Sequence, residues 1–433
     1  MPFTPSRARP PLARRRALTV AAVLAAALTA CSSSSGKGGV TASAPATTGR
    51  GPTTTAPAPD TAGATTGSTG TGPATGAATG AAPAAGDPAL AALYAGILKS
   101  PDTTPRPGVK GKKVVVISNG QASISSSIPS NAAVEAGQAL GWNTSLYDAQ
   151  LQPAKAQDLV RQAIAAGADG IVVDANDCPT EKAALQEAKA KGVKVVGIFS
   201  FDCDDPIFNG AGGGQPLFSG TINYQGKTSG QAIDDFTKAY GAAQAKAVIA
   251  ATGGKAKVIF FNDLEVTVLK YTGQGFLDEM KTCSGCSVVA NVTFTGAELG
   301  PVLQQKVASA LLQHPEANAI KSPFTAAALL GIAPALVQSG RQAKVFSMGG
   351  EGFEPELSLI RNRQGVDAVE ITPSDWTGYA AIDTLNSLFS GKPAVDSGLG
   401  YQLVDRTHGL PASGPFIPAV DFKAVYKKAW GVG

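Results

Sequence analysis

The sequence predicts an α/β fold in which two similar doubly wound parallel-sheet lobes follow one another. Three observations predict it. Short apolar runs alternate with helix-period segments from about residue 110 onward. Gly and Pro fall at the joints between them, Gly closing helices and Pro opening them. The alternation also continues for about ten strands, more than one small doubly wound sheet needs.

The first half reads in order. Residues 113–118 (Lys-Val-Val-Val-Ile-Ser) are a short apolar run, hence a strand buried on both faces. A helix is predicted over 129–140, with Pro129 at its start and Gly141 at its end. A strand at 143–147 leads to a helix at 153–166 that gathers Leu159, Val160, Ala163 and Ile164 on one face. Strand 170–174, helix 180–191 and strand 193–198 complete this half. The second half repeats the pattern, with helices at 226–240, 272–281, 302–312, 326–338, 354–362 and 376–390. Its strands fall at 257–261, 287–292, 319–322, 344–348 and 366–371. Residues 88–98 read as a short helix leading into the fold.

Ahead of this lies an address. Arg7, Arg9 and Arg14, Arg15 and Arg16 precede an apolar run over 17–28 that is too short to span a membrane stably. The following Leu28-Thr29-Ala30-Cys31 resembles the lipobox of bacterial lipoproteins. That resemblance implies cleavage before Cys31, acylation of that residue, and anchoring at the outer face of the cytoplasmic membrane. The pair Arg14-Arg15 resembles a twin-arginine export signal, so the export route stays open between the general and twin-arginine systems. Residues 1–30 thus form a signal peptide. Residues 31–87 form a Thr/Ala/Gly/Pro tether whose large apolar content is Val40 alone, and such a segment cannot offset its ordering entropy. As a coil it would span about 40–45 Å.

Composition excludes several functions. The formal charge of +4 less the five leader Arg leaves −1, which gives no basic field for nucleic acid. Two His in 433 residues exclude a His-rich metal site and disfavour His-assisted nucleophilic catalysis. No Gly-x-Gly-x-x-Gly follows a strand, and 210–214 (Gly-Ala-Gly-Gly-Gly) lacks the helix start of a nucleotide site. No enzyme, cofactor or metal is expected.

Several stretches, taken in order, carry a family resemblance. They are Ala165-Ala-Gly-Ala-Asp-Gly-Ile-Val-Val-Asp174, Gly275-Phe276, Leu329-Leu-Gly331, Ser347-Met-Gly-Gly-Glu-Gly352, Asp375-Trp-Thr-Gly378 and Tyr401-Gln-Leu-Val404. Together, over about 110–430, they resemble the type I periplasmic binding proteins of the ribose/galactose group, which serve ABC transporters. The resemblance implies a three-strand hinge with crossings near 220–224, 371–375 and 400–404. It also implies a first lobe of 110–220 plus 374–400 and a second of 221–373 plus 401–433. A monomeric receptor would then close on a small, sugar-like molecule and deliver it to an ABC permease. A sensor of the same fold, reporting ligand state to a membrane partner, is the alternative. Independently of the family, open α/β sheets bind ligands beyond their strand C-termini.

The resemblance directs attention to Gln121, Ser123 and Ser125 after the first strand, and to Asp174 at the end of the third. Phe201 and Asp202 follow the fourth strand, as an apolar cover and a hydroxyl-binding carboxylate. Asp202→Ala is therefore expected to lose affinity and keep its fold. Asn223 lies at the first crossing. In the second lobe, Lys270 or Thr272 stands where the family often has Arg, Phe324-Thr325 replaces Asn-Asp, Glu351 replaces Asp, and Thr372 takes the place of Gln. Phe294 and Trp376 are candidate stacking walls. The lost Arg and added aromatics suggest a larger or less polyhydroxylated guest.

If Cys31 is lipidated, Cys178, Cys203, Cys283 and Cys286 remain. Should strands 170–174 and 193–198 be neighbours, Cys178 and Cys203 emerge at one sheet end at a spacing that suits a disulfide. Cys283-Ser-Gly-Cys286 closes a helix rather than opening one, so a local structural disulfide is expected in place of a redox site.

Overall fold

The computed structural model describes residues 88–208, 214–225 and 232–433. The leader, Cys31 and the tether lie outside the described residues. After α1 (Pro88–Ala95), the chain lays down β1 (Lys113–Ser118), α2 (Ile124–Ala139), β2 (Asn143–Asp148), α3 (Pro153–Ala165), β3 (Gly170–Asp174), α4 (Cys178–Ala190), β4 (Lys194–Ile198) and β5 (Gly220–Thr221). These strands form one parallel sheet in the order β2-β1-β3-β4-β5. Both faces of β1 are buried. Val114 and Val116 join a core with α2, while Val115 and Ile117 join a separate core with α3 and α4. The run of apolar residues without alternation follows from this double burial.

The second half comprises α5 (Ile233–Ala251), β6 (Lys257–Asp263), α6 (Thr267–Met280), β7 (Ser287–Phe294), α7 (Pro301–Gln313), β8 (Ala319–Lys321) and α8 (Thr325–Ala327). It continues through a π-helical turn, Ala328–Ile332, into α9 (Ala333–Gln338), then β9 (Phe346–Met348), α10 (Glu354–Asn362) and β10 (Ala368–Ile371). The last elements are α11 (Ser374–Phe389), β11 (Gln402–Asp405) and α12 (Phe422–Trp430). The second sheet runs β11-β10-β9-β8-β6-β7, parallel except for the antiparallel β10/β11 pair. The chain passes between sheets after β5, after β10, and again before β11. Beside these crossings, Asn223 bridges to Asp396.

Several helices differ from expectation, and for α2 and α5 the reason is identifiable. α2 begins at Ile124, so Pro129 sits inside it; its missing N–H leaves the Ser125 carbonyl without its helical donor. α5 continues through Gly241 to Ala251 instead of ending near 240, because 242–251 is rich in Ala, the best helix former. Gly241 is required there. A Cβ would lie 1.9 Å from the Thr272 carbonyl oxygen, and at Gly275 it would lie 1.9 Å from that of Lys238, so α5 and α6 meet backbone to backbone.

The segment after α1 straps the crossings. Ile97 N–H donates to Tyr401, Lys99 N–H to Gly398 and Asp102 N–H to Asp396, each through the backbone carbonyl. Leu90 of α1 is buried in the core of the second sheet. At the other end, Arg106 Nε donates to Asp383 of α11 at 2.6 Å, and Gly108 N–H donates to the Trp430 carbonyl. The sequence reading assigned 401–433 to the second lobe. The packing instead seats Phe422, Tyr426 and Trp430 of α12 in the first sheet's core, against Trp376 and Tyr379.

Candidate functional site

Parallel strands of both sheets end where the two halves meet, and side chains from each cross the gap. Ser125 Oγ, in the first turn of α2, donates to Glu351 Oε2 at 2.7 Å. Tyr271 of α6 donates its hydroxyl to Asp205, and its ring lies 5.1 Å from that of Phe201. The chain turns sharply at this edge. Ala175 and Phe199, each just past a strand end, hold φ of 53° and 45°, left-handed values that a non-Gly residue adopts only under constraint.

Glu351 is aimed by its own turn. Glu356 of α10 accepts from Gly350 N at 2.7 Å, Gly352 N at 2.9 Å and Thr325 Oγ1 at 2.6 Å. Gly352 has φ of 77°, and a Cβ on Gly350 would strike the Phe324 backbone at 2.2 Å. Glu351 also accepts from Thr325 N at 3.2 Å. Thr325 and Glu351, read separately from the sequence, are thus one constellation. Opposite it stands Asp174, whose Oδ2 accepts from Ser130 Oγ at 2.7 Å while Oδ1 has no partner. Burial raises the Asp174 carboxyl well above the carboxylate range, and the Glu351 charge raises it further. Burial likewise pushes Glu351 up to about 7.

The remaining sequence candidates scatter. Gln121 accepts from Asn131 at 3.1 Å through Oε1, and its Nε2 is buried without a partner. Ser123 caps α2 through its backbone. Phe201 is fully buried beneath Tyr271. Asp202 is not brought to the gap as a free carboxylate: it accepts from the amides of Cys203, Leu217 and Phe218 at 2.7, 2.8 and 2.9 Å, closing its own loop. Asn223 donates to the Ala394 carbonyl at the crossings. Lys270 is half-buried and acts on Asp177, while Thr272 donates back to Val268 of its own helix. Phe294 packs in the second sheet's core 6.0 Å from Phe324. Thr372 Oγ1 is buried and unpartnered. Trp376 is no wall: its ring stacks on Phe422 at 4.9 Å and its Nε1 donates to the Ser397 carbonyl.

Sequence reasoning missed Ser118, Ser130, Tyr224, Tyr271 and Glu356. Ser118 had a signal, since it ends an apolar strand as Asp174 does, and the two pair in register. Both disulfides, Cys178–Cys203 and Cys283–Cys286, are present. The first pins α4 to the loop after β4.

Two parallel-dominated sheets, joined by three crossings and facing each other at their strand ends, define a hinged solute-binding fold of the type I periplasmic binding class. The chain belongs to the periplasmic binding protein domain family, whose model matches residues 114–393. This is a family of extracytoplasmic solute-binding proteins and not of enzymes. Among solved structures it is similar to GanP, a glucose-galactose binding protein from Geobacillus stearothermophilus, at 18% identity and a TM-score of 0.57, covering 69% of this chain and 99% of that one. An ABC transporter solute-binding protein from Mycobacterium smegmatis with bound glycerol is 20% identical, with a TM-score of 0.55 over 71% of this chain and 100% of that one. A 5-methylthioribose transporter solute-binding protein from Thermotoga lettingae is 17% identical, with a TM-score of 0.57 over 76% of this chain and 100% of that one. A comparison with curated proteins found no match. No helix among the described residues is long and apolar enough to cross a membrane.

Proposed function

We propose that the protein is an exported, lipid-anchored receptor that captures a small, sugar-like solute between its two halves and delivers it to an ABC permease. The observation that carries this reading is the bond from Ser125 to Glu351 across the gap, with buried, unpartnered Ser118 Oγ and Asp174 Oδ1 on adjacent strand ends of the first sheet. Buried polar atoms are ordinarily paired, so two adjacent unpaired ones at a strand end that faces the other half fit a polar guest. Family membership supports the reading, as do the sugars and polyols named for the similar structures. The Cys31 lipobox and the tether supply the anchor and the reach.

Thermal unfolding with sugars, polyols and small amides tests it. A true ligand at about a hundred times its Kd adds about 2.7 kcal/mol of stability. Failure of every small solute to raise the melting temperature would end the receptor reading.

A further inference from the structure

Among the described residues, the gap between the halves brings together two buried carboxyls, Asp174 and Glu351, that no Lys or Arg bonds. Ser118 and Asp174 end adjacent strands in register, on the face turned toward α2. Asp174 is 1% exposed; one oxygen takes the Ser130 hydroxyl and the other takes nothing. Glu351 reaches toward it from the second sheet, held by Ser125 and Thr325. The groups that act on this pair are acidic or neutral: Glu356 from α10, Tyr240 from α5, and Tyr224 from the first crossing. Lys270 acts on Asp177 and not on this pair, Thr267 bonds to Asp177 too, and Glu356 already accepts from three donors.

Two carboxylates facing each other away from water repel and desolvate, and each stays neutral until a cation arrives. Sugar hydroxyls would satisfy the hydrogen-bond deficit of Asp174 Oδ1 but leave the pair neutral, whereas a cation would let it ionise and add charge-assisted bonds. We propose, building on the solute-receptor reading, that the preferred guest is a small polar solute bearing a protonated amine, whose N–H donors reach the free Asp174 oxygen and Glu351 together. Charge-assisted hydrogen bonds of this kind are about twice as strong as neutral ones.

The test is a matched panel by calorimetry: glucosamine against glucose, and 1-amino-1-deoxysorbitol against sorbitol. The amines are expected to bind at least about tenfold more tightly than their neutral counterparts. Glu351 titrates near 7, so affinity for 1-amino-1-deoxysorbitol, a stronger base, should rise from pH 6 to pH 8 with proton release at the lower pH. Asp174→Asn and Glu351→Gln should each erase the preference for the amine. Each amide replaces a carboxyl that burial penalises whenever it ionises, so their unfolding temperatures should not fall. Neutral sugars binding as well as the amines would overturn the cation inference and leave the receptor reading intact. A panel in which nothing binds also overturns it, and the wider solute screen then decides the receptor reading separately.

Discussion

Asp202 shows how a side chain's partners decide its role. From the chain it looks like a carboxylate offered to sugar hydroxyls. In the fold it accepts three backbone amides, those of Cys203, Leu217 and Phe218, and so closes the loop that carries the Cys178–Cys203 disulfide. Asp202→Ala is expected to cost about 2–3 kcal/mol by leaving those amides unpaired, with affinity falling only as the loop loosens. Urea unfolding beside ligand titration checks this; lost affinity at unchanged stability would restore the sugar-binding role. Lys321 is the converse case. It ends β8 fully buried, its ammonium 5.4 Å above the Phe260 ring, and burial lowers it from 10.5 to about 7. Between those values the unfolded chain holds a proton that the folded chain lacks, so stability rises with pH across the window and the full cost is felt below it. Lys321→Met, of similar volume, should remove that rise and stabilise the protein at pH 6 by roughly 2–4 kcal/mol. Urea midpoints from pH 6 to 10 that keep the same slope in the variant would refute it.

At the scale of elements, what could be read from the chain was what local pattern determines. β1, β3 and α10 fall where they were expected, because a doubly buried strand or a Pro-opened, amphipathic helix announces itself within a few residues. The starts of α2 and α6 did not, since serines before Pro129 and the run before Thr272 read as loop until packing recruits them. α12 escaped notice despite its apolar face, because that face answers Trp376 and Tyr379, nearly fifty residues away. The site divides in the same way. Asp174, Ser125 and Glu351 are singled out in the chain by family resemblance, and the fold places them at facing strand ends and turns. Tyr271, Glu356 and Ser130 were missed because their importance lies in what they touch from another element. Trp376 was misplaced because bulk and aromaticity suit a core as well as a binding wall.

For the whole molecule, the strap ahead of β1 matters most. Hinged halves close about their crossings, and here a further length of chain lies along them. It runs from Leu90 in the second sheet's core, past Tyr401, Gly398 and Asp396, to Asp383 and Trp430 on the first. Arg106 is its anchor: it is 6% exposed and bonded to Asp383, which also accepts from Trp430 Nε1 at 2.7 Å. Removing one partner of a buried ion pair leaves an uncompensated charge, so Arg106→Ala is expected to cost about 3–5 kcal/mol. Burial already raises the Asp383 carboxyl, so without Arg106 it should take up a proton and the loss should be larger at pH 8 than at pH 5. Hydrogen exchange separates a strap from a mere core contact. The amides of Ile97, Lys99 and Asp102 should exchange faster in Arg106→Ala while those of β1 keep their protection. If strap and β1 amides accelerate together, residues 97–108 do not act as a separable brace across the hinge.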